Sequence, residues 1–109
     1  MGRVNKRAKA CDIPQHVKKR VWERDKGMCI ICWRNTAAPN AHFISRAHGG
    51  RGIEENIVTL CTDFGGGCHF LYDNGTKEQR EIIRKKIRSY LMEQYPSWDE
   101  SKLIYRKWE

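Results

Sequence analysis

The stretch 28-MCIICWRNTAAPNAHFISR-46 decides how this chain folds. It opens on Cys29-x-x-Cys32, a spacing that turns both sulfurs to one side of a knuckle. It continues as the extended run AAPNAHFISR, which carries His42 and Arg46 and reads as a strand. Beyond it, residues 47–55 (AHGGRGIEE) form a polar, glycine-rich loop, and NIVTLC reads as a second short strand that ends on Cys61. Two such strands joined by that loop predict a long-looped antiparallel hairpin. Cys61-x6-Cys68 then supplies a second cysteine pair, with GGG at 65–67 expected to bulge so that the sulfurs converge.

Two cysteine pairs on either side of a strand, a loop and a strand have the pattern of a four-thiolate zinc site. The competing reading is four free or buried thiols. A site closed by Cys29, Cys32, Cys61 and Cys68 leaves no position for water, so the zinc is expected to be structural. In zinc-finger peptides such binding supplies roughly 10–16 kcal/mol of apparent folding free energy. Cys11 stands outside the pairs and reads as a spare thiol.

A staple of this kind suits the composition. The chain has 109 residues, enough for one domain with one modest core, and its 39% hydrophobic and 31% charged content makes that core lean. Twenty-one Lys and Arg against 13 Asp and Glu leave a formal charge of +8, which favours a polyanionic partner, most simply nucleic acid, over mere solubility. No apolar run is long enough to span a membrane. The start, MGRVNKRAKA, is basic without the apolar region of a secretory signal, so residues 1–11 are expected to be a flexible basic arm. A cytoplasmic, reducing compartment follows as the expectation, where cysteines tend to mean metal rather than disulfide.

The remaining segments read as helices around the hairpin. DIPQHVKKRVWERDKG can be capped by Asp12, suits Pro14 in its first turn, places Val17 and Val21 on one face and stops at Gly27. CHFLYDNG predicts a short helix ending at Gly75, with His69 and Asp73 one turn apart on one face. TKEQREIIRKKIRSYLMEQY is strongly amphipathic: Thr76 with Gln79 resembles a capping box, Ile83, Ile87 and Leu91 share a face, and Pro96 stops it. SWDESKLIYRKW is expected to dock Trp98, Leu103 and Trp108 as a last short helix. The histidines divide by context. His16 has no partner in sequence, whereas the cysteine site would tie the segment of His42 to that of His69. An imidazole and a carboxylate at the spacing of His69 and Asp73 can share one divalent ion with open water positions; an incidental surface pair is the bland alternative.

The order Cys-x-x-Cys, AHFISR, Gly-Gly, NIVTLC and CH resembles the HNH endonucleases, the ββα-metal or His-Me finger nucleases often encoded by phages or near mobile elements. The match covers residues 14–75, with His42, Asn56 and His69 at the H, N and H positions. The resemblance implies a small α+β fold, a zinc-stapled ββα-metal core (two-stranded antiparallel hairpin plus helix) with flanking N- and C-terminal helices: one nuclease domain over 12–109, core 14–75, C-terminal helices 76–109. It implies that His42 is the general base, that His69 binds a catalytic divalent ion such as Mg2+ or Mn2+, and that the Asn56 amide steadies the loop after the first strand. Arg46 is then a candidate phosphate contact. Many such nucleases carry Asp or His immediately before the base; here Ala41 stands there, and Asp73 is the candidate replacement ligand.

Two functions are compatible with these residues. One is a metal-dependent DNA endonuclease in which water attacks phosphorus with His42 as base, leaving 5′-phosphate and 3′-hydroxyl ends. The basic arm and Arg84–Arg88 (RKKIR) would grip the DNA backbone, and cutting both strands would call for a homodimer. The other is a non-catalytic zinc-stabilised nucleic-acid-binding module, or a phage recombination or packaging accessory acting with other phage DNA-processing proteins. It needs only the four cysteines and the charge. The AHFISR segment also resembles NinG-like phage recombination proteins.

Overall fold

The computed structural model describes residues 6–62 and 67–106. Trp108, residues 1–5 of the expected arm and most of the glycine bulge before Cys68 lie outside that range. Six elements and two 3-10 turns follow one another: α1 (Lys6–Cys11), α2 (Gln15–Arg24), β1 (Ala37–His42), a turn at Arg46–His48, β2 (Ile57–Cys61), α3 (Cys68–Asn74), α4 (Lys77–Gln94) and a turn at Glu100–Leu103. The fold is a small α+β arrangement in which an antiparallel hairpin carries the helices.

The register pairs Ala37 with Cys61, Ala38 with Leu60, Ala41 with Val58 and His42 with Ile57. Three residues of β1 thus advance between Ala38 and Ala41 against two of β2, which is a bulge. Pro39 sits inside it, where its missing N–H removes a ladder bond in any case. The bulge leaves Ala41 wholly buried and His42 half-buried at the strand's end. Every residue of β2 is buried.

Each flanking helix contributes one apolar stripe. Val17 and Val21 of α2 pack with Ile57. α4 starts with the full capping box, in which Thr76 accepts from the Gln79 amide and the Gln79 side chain accepts from the Thr76 amide. Its Ile83, Ile87 and Leu91 enter the main core with Phe43, Ile44, Val58, Leu60 and Leu103.

A buried polar knot joins the layers. The Arg24 guanidinium grips the neighbouring Asp25 carboxylate at 2.7 and 3.1 Å, donates to the Glu54 and Ile57 carbonyls, and lies over the Tyr90 and Tyr95 rings. Asp25 also accepts from the Thr59 amide and the Tyr90 hydroxyl. The end of α2, the strand β2 and α4 are thereby fixed to one another. Breaking such a buried pair by removing one partner typically costs about 3–5 kcal/mol.

The N-terminal segment departs from the sequence expectation. Residues 6–11 are not a free arm but the helix α1, and Cys11 is 2% exposed. Six residues cannot hold a helix by propensity alone. Tertiary bonds hold this one: Arg7 donates to the Arg46 and Ala47 carbonyls, and the Gly52 amide donates to the Ala10 carbonyl.

Candidate metal centre and catalytic cleft

The knuckle after α2 presents Cys29 and Cys32, β2 ends on Cys61, and α3 begins at Cys68. Their four sulfurs lie within 4.8 Å of one another, and Cys32 Sγ is 3.5 Å from Cys61 Sγ. A group so close can hold one metal ion. Tetrahedral ligands about 2.3 Å from a zinc lie about 3.8 Å apart, inside that limit. Backbone amides already aim at the sulfurs: Ile31 and Cys32 donate to Cys29 Sγ, and Cys68 donates to Cys61 Sγ. Burial would raise the Cys32 thiol, yet the Arg34 amide and neighbouring cysteines hold it below its usual 9.0. Burial pushes the Cys61 and Cys68 thiols up. Cys11 is no member of the group.

The knuckle has one unusual residue. Trp33 follows Cys32 with φ 67°, donates its amide to the Cys29 carbonyl, and leaves its side chain largely exposed. Glycine is the residue that takes this left-handed conformation without steric cost.

His42 stands at the exit of β1. Its Nε2 is 2.8 Å from the Cys11 carbonyl oxygen. A carbonyl only accepts, so Nε2 carries the hydrogen and the neutral ring keeps a free lone pair on Nδ1. Burial, and then the charges of Arg46 and His69, lower the His42 pKa below 6.5 against the opposing pull of the Cys11 carbonyl and Asp73. His69 and Asp73 face each other on α3, Nε2 to Oδ2, at 3.4 Å. Adjacent ligands about 2.1 Å from an octahedral ion lie about 3 Å apart, so the pair fits one divalent ion. Tyr72, between them in sequence, donates to the Phe43 carbonyl at 2.6 Å and so fastens α3 beside the residue that follows His42.

Asn56 is completely buried. Its Oδ1 accepts from the Ile44 amide at 2.8 Å, while Nδ2 donates to the Ile44 and Arg51 carbonyls at 3.2 and 2.8 Å. Both ends of the loop after β1 are held by this one amide. Arg46 is engaged within the chain rather than facing outward alone: it pairs with Asp12 at 2.7 Å and donates to the Cys11 carbonyl at 3.0 Å. Ala41 belongs to the core, so a ligand introduced there would first have to be buried.

A cleft of about 570 Å³ opens in front of His42. Asp73 lines it from α3, His48 from the loop, and Lys77, Arg80 and Arg84 from α4. Arg84 and Arg88 also lie over the Phe43 ring at 5.1 and 5.6 Å, and Arg88 pairs with Glu100. The Arg84–Arg88 segment therefore meets the cleft at one end and packs at the other. His16 lies in a separate shallow groove with Lys18, Lys19 and Trp22.

Sequence reasoning overlooked Tyr72, Lys77, Arg80 and the Cys11 carbonyl. Lys77, Arg80 and Arg84 do carry a signal, since spacings of three and four put them on one helix face. A backbone carbonyl that holds an imidazole from thirty-one residues away leaves none.

Among the described residues no helix is long and apolar enough to cross a membrane. No family model matches the sequence, and no solved structure matches it. Among curated proteins the chain is similar to Anaredoxin of Nostoc sp. (strain PCC 7120), with 32% identity over 59 residues that span 53% of this chain and 72% of that protein.

Proposed function

The chain belongs to the family of the Nostoc protein Anaredoxin, and from the arrangement around His42 we propose that this member is a metal-dependent DNA endonuclease of the HNH type. One observation carries the reading: a histidine whose Nε2 is tied to a backbone carbonyl lines the same cleft as Asp73, which pairs with His69.

Each residue then has a task. The Cys11 carbonyl fixes the tautomer and ring orientation of His42, leaving Nδ1 to take a proton from the attacking water. The water oxygen bonds to phosphorus as the bond to the leaving oxygen breaks. Burial keeps the waiting imidazole neutral, and Asp73 tempers the cost of the imidazolium that forms. His69 and Asp73 would hold the divalent ion, which when bound stabilises negative charge on the leaving oxygen. Lys77, Arg80 and Arg84 line the cleft alongside Asp73, Glu81 and Glu100, and would be its contacts for the flanking phosphates.

The four-cysteine centre serves the site from a distance. It joins the knuckle, β2 and α3, and so holds His69 against the hairpin. Zinc is the proposed occupant. Sulfurs within 4.8 Å of one another favour a single ion over a cluster, whose thiolates are spread over several irons. A single iron satisfies the same geometry and is the second reading, favoured by the relative's redox-style name. Metal analysis and visible absorption separate them, because zinc thiolates are colourless and iron thiolates are not.

The test of the main proposal is plasmid nicking. Wild-type protein should relax supercoiled DNA with Mg2+ or Mn2+ and not without added divalent ion, and His42→Ala should be inactive with its four-cysteine metal retained. Equal nicking by wild type and His42→Ala would refute the assignment. Salt-sensitive DNA binding without cleavage under any divalent ion would leave the non-catalytic module as the function.

A further inference from the structure

We infer that Arg46 and Asp12 are positioning residues for His42, acting through the Cys11 carbonyl; as a statement about catalysis this rests on the nuclease reading above. The Cys11 carbonyl accepts twice, from His42 Nε2 at 2.8 Å and from Arg46 Nη1 at 3.0 Å. A carbonyl oxygen has two lone pairs, so both are in use. The second guanidinium nitrogen, Nη2, is held by Asp12 Oδ1 at 2.7 Å. Asp12 is the residue after Cys11, so the guanidinium bridges a carbonyl and the following side chain, clamping the peptide that orients the base.

The clamp has a built seat. Gly52 donates its amide to Ala10, and a Cβ at Gly52 would lie 1.9 Å from the Asp12 carbonyl oxygen. Only glycine lets the strap approach so closely. Arg7 ties the other end of the strap to the Arg46 and Ala47 carbonyls. α1 and the Cys11–Asp12 peptide therefore lie over the loop that Asn56 pins, and the orientation of His42 depends on residues that precede it by some thirty positions. An arginine kept for phosphate alone would not need two partners within its own chain.

The experiment uses the full-length, metal-loaded chain and reads two quantities: the 15N shifts of the His42 ring nitrogens, which report the tautomer, and kcat and KM for plasmid nicking. Arg46→Ala should reduce the Nε2–H tautomer and lower kcat at least tenfold, with KM and the salt dependence of DNA binding unchanged. Arg46→Lys, which keeps a donor for the carbonyl or Asp12, should recover part of both, and Asp12→Ala should give the same pattern more weakly. Far-UV circular dichroism and metal content confirm that each variant is folded. Arg46→Ala with a raised KM, a flatter salt slope and an unaltered His42 tautomer would overturn the inference and make Arg46 a phosphate contact. Unaltered shifts together with unaltered kinetics would overturn it as well. If the wild type does not nick, the nuclease reading falls, and the His42 nitrogen shifts alone decide whether the clamp orients the ring.

Discussion

Replacing Asn56 with alanine isolates the loop pin from everything else in the site. The side chain is fully buried and makes three hydrogen bonds, to the Ile44 amide, the Ile44 carbonyl and the Arg51 carbonyl. At a net worth of about 1 kcal/mol each they contribute about 3 kcal/mol. Ile44 is only 7% exposed, so its amide would also lose its partner away from solvent. The expected loss is therefore about 3–4 kcal/mol, a large share of the roughly 5–15 kcal/mol that holds a domain together. Urea unfolding followed by tryptophan fluorescence, with free zinc held constant, would read it. Trp98 is a suitable reporter because its ring meets Phe43 at 5.7 Å beside the loop. With a slope of about 1.5 kcal/mol per molar, the midpoint should fall by about 2 M. A loss under about 1 kcal/mol, with metal content unchanged, would refute the view that this amide holds the loop.

The other predictions concern separate parts of the molecule. Cys68→Ser should lower bound metal and melting temperature together, read by metal analysis and calorimetry, whereas Cys11→Ser should keep the metal and lose only about 1–2 kcal/mol, the cost of a hydroxyl in a buried thiol's place. On the proposed role of His42 as the neutral base, its depressed pKa means that nicking should persist as pH falls to 6.5 and reach half its plateau below that value; an acid limb centred above 6.5 would contradict the assignment. Trp33→Gly should stabilise the protein by about 0.5–1 kcal/mol in the same urea assay, because the left-handed backbone there suits glycine and the indole is 68% exposed.

Legibility in the sequence followed the range of the physics. The α4 helix was visible because its determinants are local: Thr76 and Gln79 are three residues apart, and Ile83, Ile87 and Leu91 repeat at four. The convergence of the cysteines was visible because a metal site constrains spacing on each side of a strand pair. The role of Arg24 and Asp25 was not, because nothing local distinguishes them from other charges at a helix end; their partners Thr59 and Tyr90 come from distant elements. For the same reason residues 6–11 looked like an arm. Their basic composition describes a solvated segment, while their helix depends on acceptors at Arg46 and Ala47. The bulge at Pro39, which decides the facing of Ala41 and His42, was written in the proline but could be placed only once the register was known.

The spread of the four thiolates along the chain also has a kinetic meaning. Cys29 and Cys32 are three residues apart and can meet an ion before anything else has formed, since closing a short loop sacrifices the least chain entropy. Cys61 ends β2 and Cys68 begins α3, so each closes a longer loop onto the knuckle and is expected to join later. An ion captured by the knuckle thus becomes a tether that shortens every later search, and α3 arrives at a partner already in place. With an ion bound first at the knuckle, the expected order is hairpin to knuckle, then α3 to both, which would make His69 the last of the proposed catalytic groups to reach its position.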